Sequence, residues 1–171
     1  MKKGRFYFVL DDFYDKYDFN KTLMRNKEAD SDGTLHNRPC FFAFPDKNQS
    51  KIYWLVPLST KHEKYQKIFD SKMEKLGKCN TIRFGDVLGI KNAFLIQNMF
   101  PITQPYINSV FIDRNTNNEV TVAPEIEKDV ISNAQDVLRL AKRKIPVLYA
   151  DVMAIYNGLL AEIEQAAKGS N

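Results

Sequence analysis

Cysteine is nearly absent from this chain of 171 residues, with Cys40 and Cys79 the only two. Two thiols build no disulfide framework, and neither has a CxxC partner or an adjacent histidine. Structural zinc is thereby excluded, and both read as small buried hydrophobes or free thiols. Glycine and proline number 7 each, too few for a collagen-like or low-complexity chain. No apolar run approaches the roughly 18 residues that cross a bilayer. The N-terminal MKKGRFYFVLDD reaches paired aspartates before a signal-peptide core has formed, so the chain is expected to stay in the cytoplasm without membrane contact. G-x-x-x-x-G-K-[ST], GxGxxG and HExxH are all missing, which removes the P-loop, dinucleotide and zincin readings. With only His36 and His62, a Ser-His-Asp arrangement has little to draw on. Neither cofactor nor metal is expected. Asp11, Asp12 and Asp15 read as acids of a helix N-terminus rather than as a metal site.

Aromatics are plentiful instead: 12 Phe, 8 Tyr and 1 Trp within a 44% hydrophobic composition. That apolar surface excludes a mainly disordered chain. The length fits one globular domain over residues 1–171 with a sizeable core. Net charge is +4, from 25 Lys+Arg against 21 Asp+Glu, and it is uneven. Residues 1–80 carry 16 basic and 11 acidic side chains, the remainder 9 and 10. The excess concentrates in Lys61, Lys64, Lys67, Lys72, Lys75, Lys78 and Arg83, with a second cluster at Arg139, Lys142, Arg143 and Lys144. Such runs suit a polyanion, because neutralised phosphates release counterions. They equally suit a solvated helix face. Charge alone does not choose.

The residue pattern predicts a strand over Arg5–Leu10, a short helix in FYDKYD behind Asp11 and Asp12, and a polar loop from Asn20 to Asn37. PCFFAF and KIYWLVPL, joined by PDKNQS, read as a hairpin whose second strand ends at Pro57. Tyr65, Ile68, Phe69, Met73 and Leu76 then recur at helical spacing, with Gly77 as the stop. Short strands are expected at Thr81–Phe84, Ala93–Gln97 and Ser109–Ile112, the last paired with Val120–Val122. From Pro124 the stripe Ile126, Val130, Ile131, Ala134, Val137, Leu138 and Ala141 marks a helix. Pro146 breaks it, and VLYADVMAIYNGLLAEIEQAAK starts another that frays after Leu160. The class is α+β: a small, strongly bent antiparallel sheet followed by helices.

Chemistry concentrates in Trp54-Leu-Val-Pro-Leu-Ser-Thr-Lys-His-Glu-Lys-Tyr65. A buried strand delivers two hydroxyls, Ser59 and Thr60, beside Lys61 and His62. Hydroxyls and unpaired N–H groups at a helix start form a phosphate cradle, lysine stabilises developing negative charge, and histidine moves protons near neutrality. The same letters also spell a capping box, Thr60 to Glu63, and a capped helix start can still present its free donors. If the hairpin is regular, Arg38 approaches the same end of the sheet and adds a planar phosphate ligand. Tyr14 and Tyr17 either stack bases or pack the short helix.

The order of segments resembles the toxins of type III toxin–antitoxin systems, the ToxN/AbiQ-like endoribonucleases, nearest their CptN branch. The likeness rests on the aromatic first strand, the Arg38-Pro39 strand opening, the Pro57-Leu58-Ser59-Thr60 turn and the two C-terminal helices. It implies a compact barrel like that of the MazF/Kid toxins, with added helices. It also implies RNA cleavage without metal, leaving a 2′,3′-cyclic phosphate and a 5′-hydroxyl. The implied partner is a repeated, pseudoknotted RNA antitoxin, processed by the toxin and bound with it in a closed hetero-oligomer; several members of the family also abort phage infection. By position, the family's hydroxyl pair falls on Ser59 and Thr60. Its following lysine falls on His62 with Lys61 intervening, so either takes the cationic role. An earlier family lysine corresponds to Arg38, and a tyrosine to Tyr14.

The sequence therefore points to an endoribonuclease in which Arg38, Ser59 and Thr60 hold the scissile phosphate and Lys61 or His62 handles charge and protons. Lys2, Lys3, Tyr14, Lys64, Lys67, Arg83, Arg139, Lys142 and Arg143 are the candidate RNA-binding residues, with cellular or phage RNA as substrate. An RNA-binding module without chemistry is the alternative.

Overall fold

Phe6, Tyr7, Phe8 and Val9 put the first strand where the apolar pattern predicts it. In the computed structural model, which describes residues 1–26 and 37–169, β1 spans Phe6–Val9 and α1 spans Asp11–Tyr17. Most of the expected polar loop, with His36, lies outside the described residues. β2 (Cys40–Pro45) and β3 (Ile52–Ser59) form the expected hairpin. α2 (His62–Leu76) stops at Gly77, whose φ of 68° glycine adopts without a Cβ clash. Then come β4 (Arg83–Val87), β5 (Ile90–Phe94), β6 (Phe100–Thr103) and β7 (Ile107–Val110). α3 (Pro124–Lys142) and α4 (Val152–Gly169) follow.

All pairings are antiparallel, in the order β4-β5-β3-β2-β1-β7, with β6 also on β3. β3 is the hub. One edge lies along β2, while the other is shared, by β6 against Ile52–Leu55 and by β5 against Leu58–Ser59. An extra residue, Ala43, bulges β2 between the pairs Phe42↔Leu55 and Phe44↔Trp54. Among the described residues no ladder joins β4 to β7, so the seven-stranded sheet stays open where the resemblance implies a closed barrel. The helices cover it, α3 packing on β2 and β4, α4 on β6, and α2 on β5.

Several boundaries differ from the sequence reading for identifiable reasons. β3 does not end at Pro57 but runs to Ser59. Pro57 sits where the strand's second edge passes from β6 to β5, a gap that asks for no ladder donor there. β4 and β5 lie a few residues from the expected windows because their turn falls at Leu88-Gly89. Ile96–Asn98 is a 3-10 turn rather than strand, and β6, carrying Pro101, is a strand that the residue pattern does not predict. The expected Val120–Val122 strand reduces to one bridge, Ile112↔Glu119. α4 starts only at Val152, after Asp151 accepts the Ala154 N–H at 3.0 Å, and continues past Leu160 to Gly169.

The core is rich in aromatics, with Phe6, Phe13, Phe41, Trp54, Phe94 and Phe100 fully buried. Two carboxylates tie the layers together. Asp46, 4% exposed, accepts Trp54 Nε1–H at 3.1 Å, Tyr156 O–H at 3.0 Å and the Asn48 N–H at 2.9 Å. Glu162 accepts both Tyr17 and Tyr106 hydroxyls at 2.7 Å and pairs with Lys16. Gly158 lets α4 reach α1 closely, since a Cβ there would stand 2.7 Å from the Tyr17 ring.

Candidate active site

The site begins with a missing hydrogen bond. β2 and β3 are in register at Cys40↔Pro57, and Leu58 N–H donates to the Pro39 carbonyl at 3.3 Å. An antiparallel pair returns that bond from the N–H of residue 39, and proline has none. Arg38 fills the gap, its Nη1–H donating to the Leu58 carbonyl at 2.5 Å. The guanidinium is thus fixed at the mouth of β3, beside Ser59, as the hairpin register implies. Its Nε–H also reaches the Arg25 carbonyl at 3.5 Å, so among the described residues three of its five donors have no partner.

Behind it, Asn26 acts as a clamp. Its Oδ1 accepts the Arg38 N–H at 3.0 Å, while Nδ2 donates to the Val9 carbonyl at 2.9 Å and to Asp11 Oδ1 at 3.0 Å. β1, the start of α1 and Arg38 are therefore held by one amide. Arg25 pairs with Asp15 and lies 5.8 Å from the centre of the Tyr14 ring. Asp11 and Asp15 are both engaged in these bonds. Asn26 carried no signal in the sequence, because a polar residue in a polar stretch belongs to no period.

Ser59 is 6% exposed, and its Oγ accepts the Lys61 N–H at 3.2 Å. That bond tightens the turn, so α2 starts at His62 with Lys61 as its N-cap and no side-chain cap. The expected Thr60–Glu63 capping box does not form. The uncapped start leaves first-turn N–H groups and the positive dipole end beside the hydroxyl turn. Thr60 and Lys61 are exposed, whereas the half-buried His62 ring packs on Phe84 at 4.7 Å. Arg38, Ser59, Thr60, Lys61 and His62 thus collect at one end of β3, with Lys61 the more open of the two cationic candidates.

Tyr14 lies beneath this group, not within reach of a base. Only 1% exposed, it packs against Phe13 and Phe100, which corrects base stacking in favour of core packing. Among the described residues its buried hydroxyl has no hydrogen bond of ordinary geometry. Burial pushes that hydroxyl well above its usual range, and the neighbouring Cys40 thiol adds to this while the Arg38 charge opposes it. Burial likewise pushes the Cys40 thiol up to about 12, against the Arg38 charge. Cys40 is therefore protonated and sealed. Treating the folded protein with iodoacetamide near pH ~8 is expected to modify the half-buried Cys79 and spare Cys40, as read by intact mass. Rapid labelling of Cys40 without unfolding would contradict this placement.

The remaining cations are spread widely. Lys64 and Lys67 are exposed on α2, next to the site. Arg83 pairs with Asp129 at 2.7 Å, and Arg139 with Asp136 at 2.7 Å. Lys142 lies 3.8 Å from Asp46, near the far end of the β2–β3 hairpin. Lys2 pairs with Glu119 at 2.9 Å, and Lys3 and Arg143 are exposed. Among the described residues no helix is long and apolar enough to cross a membrane.

The overall fold, an antiparallel sheet with covering helices, matches that of a solved RNA-cutting enzyme of phage defence. The solved structure in question is AbiQ, a lactococcal anti-phage endoribonuclease belonging to the type-III toxin–antitoxin system. This chain superposes on it with a TM-score of 0.59 at 13% identity, over 82% of this chain and 83% of AbiQ. At that identity the likeness establishes the fold. No family model and no curated protein matches the sequence.

Proposed function

We propose that this chain is the toxin of a type III toxin–antitoxin system, a metal-independent endoribonuclease. The observation that carries the reading is the convergence of the Arg38 guanidinium, the Ser59-Thr60 turn and the uncapped start of α2 at one strand end, in a chain with the AbiQ fold. Donors gathered around one point stabilise the extra negative charge of a pentacoordinate phosphorus.

In the reaction the substrate's own 2′-oxygen forms a bond to the adjacent phosphorus as its proton leaves. The bond from phosphorus to the 5′-oxygen breaks, and that oxygen takes up a proton. The products are a 2′,3′-cyclic phosphate and a 5′-hydroxyl. Arg38 clamps non-bridging oxygens and moves no proton, because guanidinium does not deprotonate in proteins. Thr60 and the free N–H groups of α2 share that grip, while Ser59 shapes the turn. Lys61 or His62 transfers the protons. The proposed partners are a repeated pseudoknot RNA antitoxin, in a closed hetero-oligomer with the toxin, and cellular or phage RNA as substrate.

The test is cleavage of RNA by the purified protein in excess EDTA, with end-group analysis, alongside growth arrest when the chain is expressed alone. Substituting Thr60 by Ala is expected to abolish cleavage and leave RNA affinity within about threefold. Tight RNA binding with no cleavage under any condition would favour the non-catalytic RNA-binding module, a reading that Arg38 in place of a proton-transferring lysine supports.

A further inference from the structure

The β2–β3 hairpin has a second polar end. At its turn the buried Asp46 carboxylate accepts from Trp54, Tyr156 and the Asn48 N–H, which ties the turn to the core and shares its negative charge among those donors and Lys142, 3.8 Å away; Asp46 also lines the cleft above it. Over that turn lies a cleft of about 210 Å³ between the hairpin and α3. Phe44 and Leu138, both nearly buried, give it an apolar floor. Gln135 contributes an exposed amide to the wall, and Lys47, Arg139 and Lys142 put three cations on it. Arg139 is partly neutralised by Asp136, and Lys142 by Asp46.

We infer that this cleft is a nucleotide subsite, taking one unpaired base of an RNA strand against Phe44 and Leu138 with its phosphate on Lys47 and Lys142. Apolar floor, amide and cations match the three parts of a nucleotide. A planar base seeks an apolar face, its edge seeks an amide that both donates and accepts, and its phosphate seeks positive charge. A bare anion site would have no use for the floor. An acidic peptide would have little use for a cleft this small.

The inference deepens the endoribonuclease reading and rests on it for the identity of the ligand as RNA. β2, Cys40–Pro45, separates the cleft from Arg38. Six residues at about 3.3 Å each put roughly 20 Å between them. A nucleotide bound there lies several positions along the strand from the reacting phosphate. Its contacts are made equally in ground and transition states, so they act on KM and leave kcat alone.

The experiment uses the full chain and a single-stranded RNA oligonucleotide long enough to reach both ends of the hairpin. The pair Lys47→Glu with Lys142→Glu is expected to raise KM at least about tenfold with kcat within about twofold, and Gln135→Ala to change the ranking of the four bases at the distal position. Direct binding of a 2′-deoxy, uncleavable oligonucleotide and of the four nucleoside 5′-monophosphates, followed by NMR shifts at α3, reads the cleft without chemistry. If the wild type never cleaves RNA yet the monophosphates bind at α3 and the charge-reversed pair loses them, the nuclease reading fails and the subsite stands. Cleavage by the charge-reversed pair with wild-type KM would overturn the subsite while leaving the nuclease intact. Equal binding of inorganic phosphate and nucleotides, or capture of an acidic peptide in preference to both, would also overturn it.

Discussion

Substituting Arg38 by alanine is expected to slow RNA cleavage by about two to three orders of magnitude while RNA binding stays within a few-fold. The guanidinium meets the phosphate at the point where charge accumulates, so its loss falls mainly on the transition state. Lysine should restore only part of the rate. An ammonium's three donors radiate from one nitrogen, whereas the guanidinium can hold the Leu58 carbonyl with one nitrogen and offer others in a planar fork to two oxygens. Single-turnover kinetics with saturating enzyme separate this from weakened binding. An Arg38→Ala protein that loses affinity and rate in equal measure would make Arg38 a general RNA contact.

The largest effect on stability is expected from Asp46→Ala. Trp54 Nε1–H and Tyr156 O–H would lose their acceptor inside the core, at about 1–3 kcal/mol for each stranded donor. A loss near 3 kcal/mol lowers Tm by about 6–12 °C for a domain of this size. Asp46→Asn keeps one acceptor and should cost less. The two variants also part in their pH response. Burial pushes the Asp46 carboxyl up, but the Trp54, Asn48 and Tyr156 donors and the Lys142 charge outweigh it, leaving it below its ordinary 3.8. Its stabilisation is therefore complete above the unfolded value and drains away as pH falls below about 4 through the folded one. Glu162 is depressed in the same direction, because the Lys16, Tyr106 and Tyr17 bonds outweigh its burial. Thermal melts from neutral pH down to pH ~2 should show an acid decline that is shallower in Asp46→Asn. An unchanged decline would assign the acid sensitivity elsewhere.

Elements with one dominant local signal were legible in the residues. RFYFVL gave β1, the two aromatic runs gave the hairpin, and the period of Tyr65 to Leu76 with Gly77 gave α2. Pro124 opens α3 where a proline is tolerated. The hairpin register even placed Arg38 beside Ser59, because pairing two strands fixes what lies at their ends. What escaped depended on partners distant in the chain. Pro57 reads as a strand terminus until β6 and β5 are seen to leave a gap across from it. Thr60 reads as a cap until the Ser59 hydroxyl takes the Lys61 amide. Asp46 looks like an ordinary turn aspartate, and only α4, carrying Tyr156 to it, reveals a core anchor. Asn26 depends on three segments at once.

Pro39 has a consequence that reaches beyond its own residue. A weave that lacks one thread usually gains nothing from the defect. Here the vacancy faces a carbonyl that must find another donor, and the neighbouring side chain is the one that answers. The sheet thereby moors its own cation before any ligand arrives, so the strand end meets a polyanion already set. Any substitution returning an amide hydrogen at position 39 would compete for that mooring and set the guanidinium adrift, with every proposed reactive group still in place.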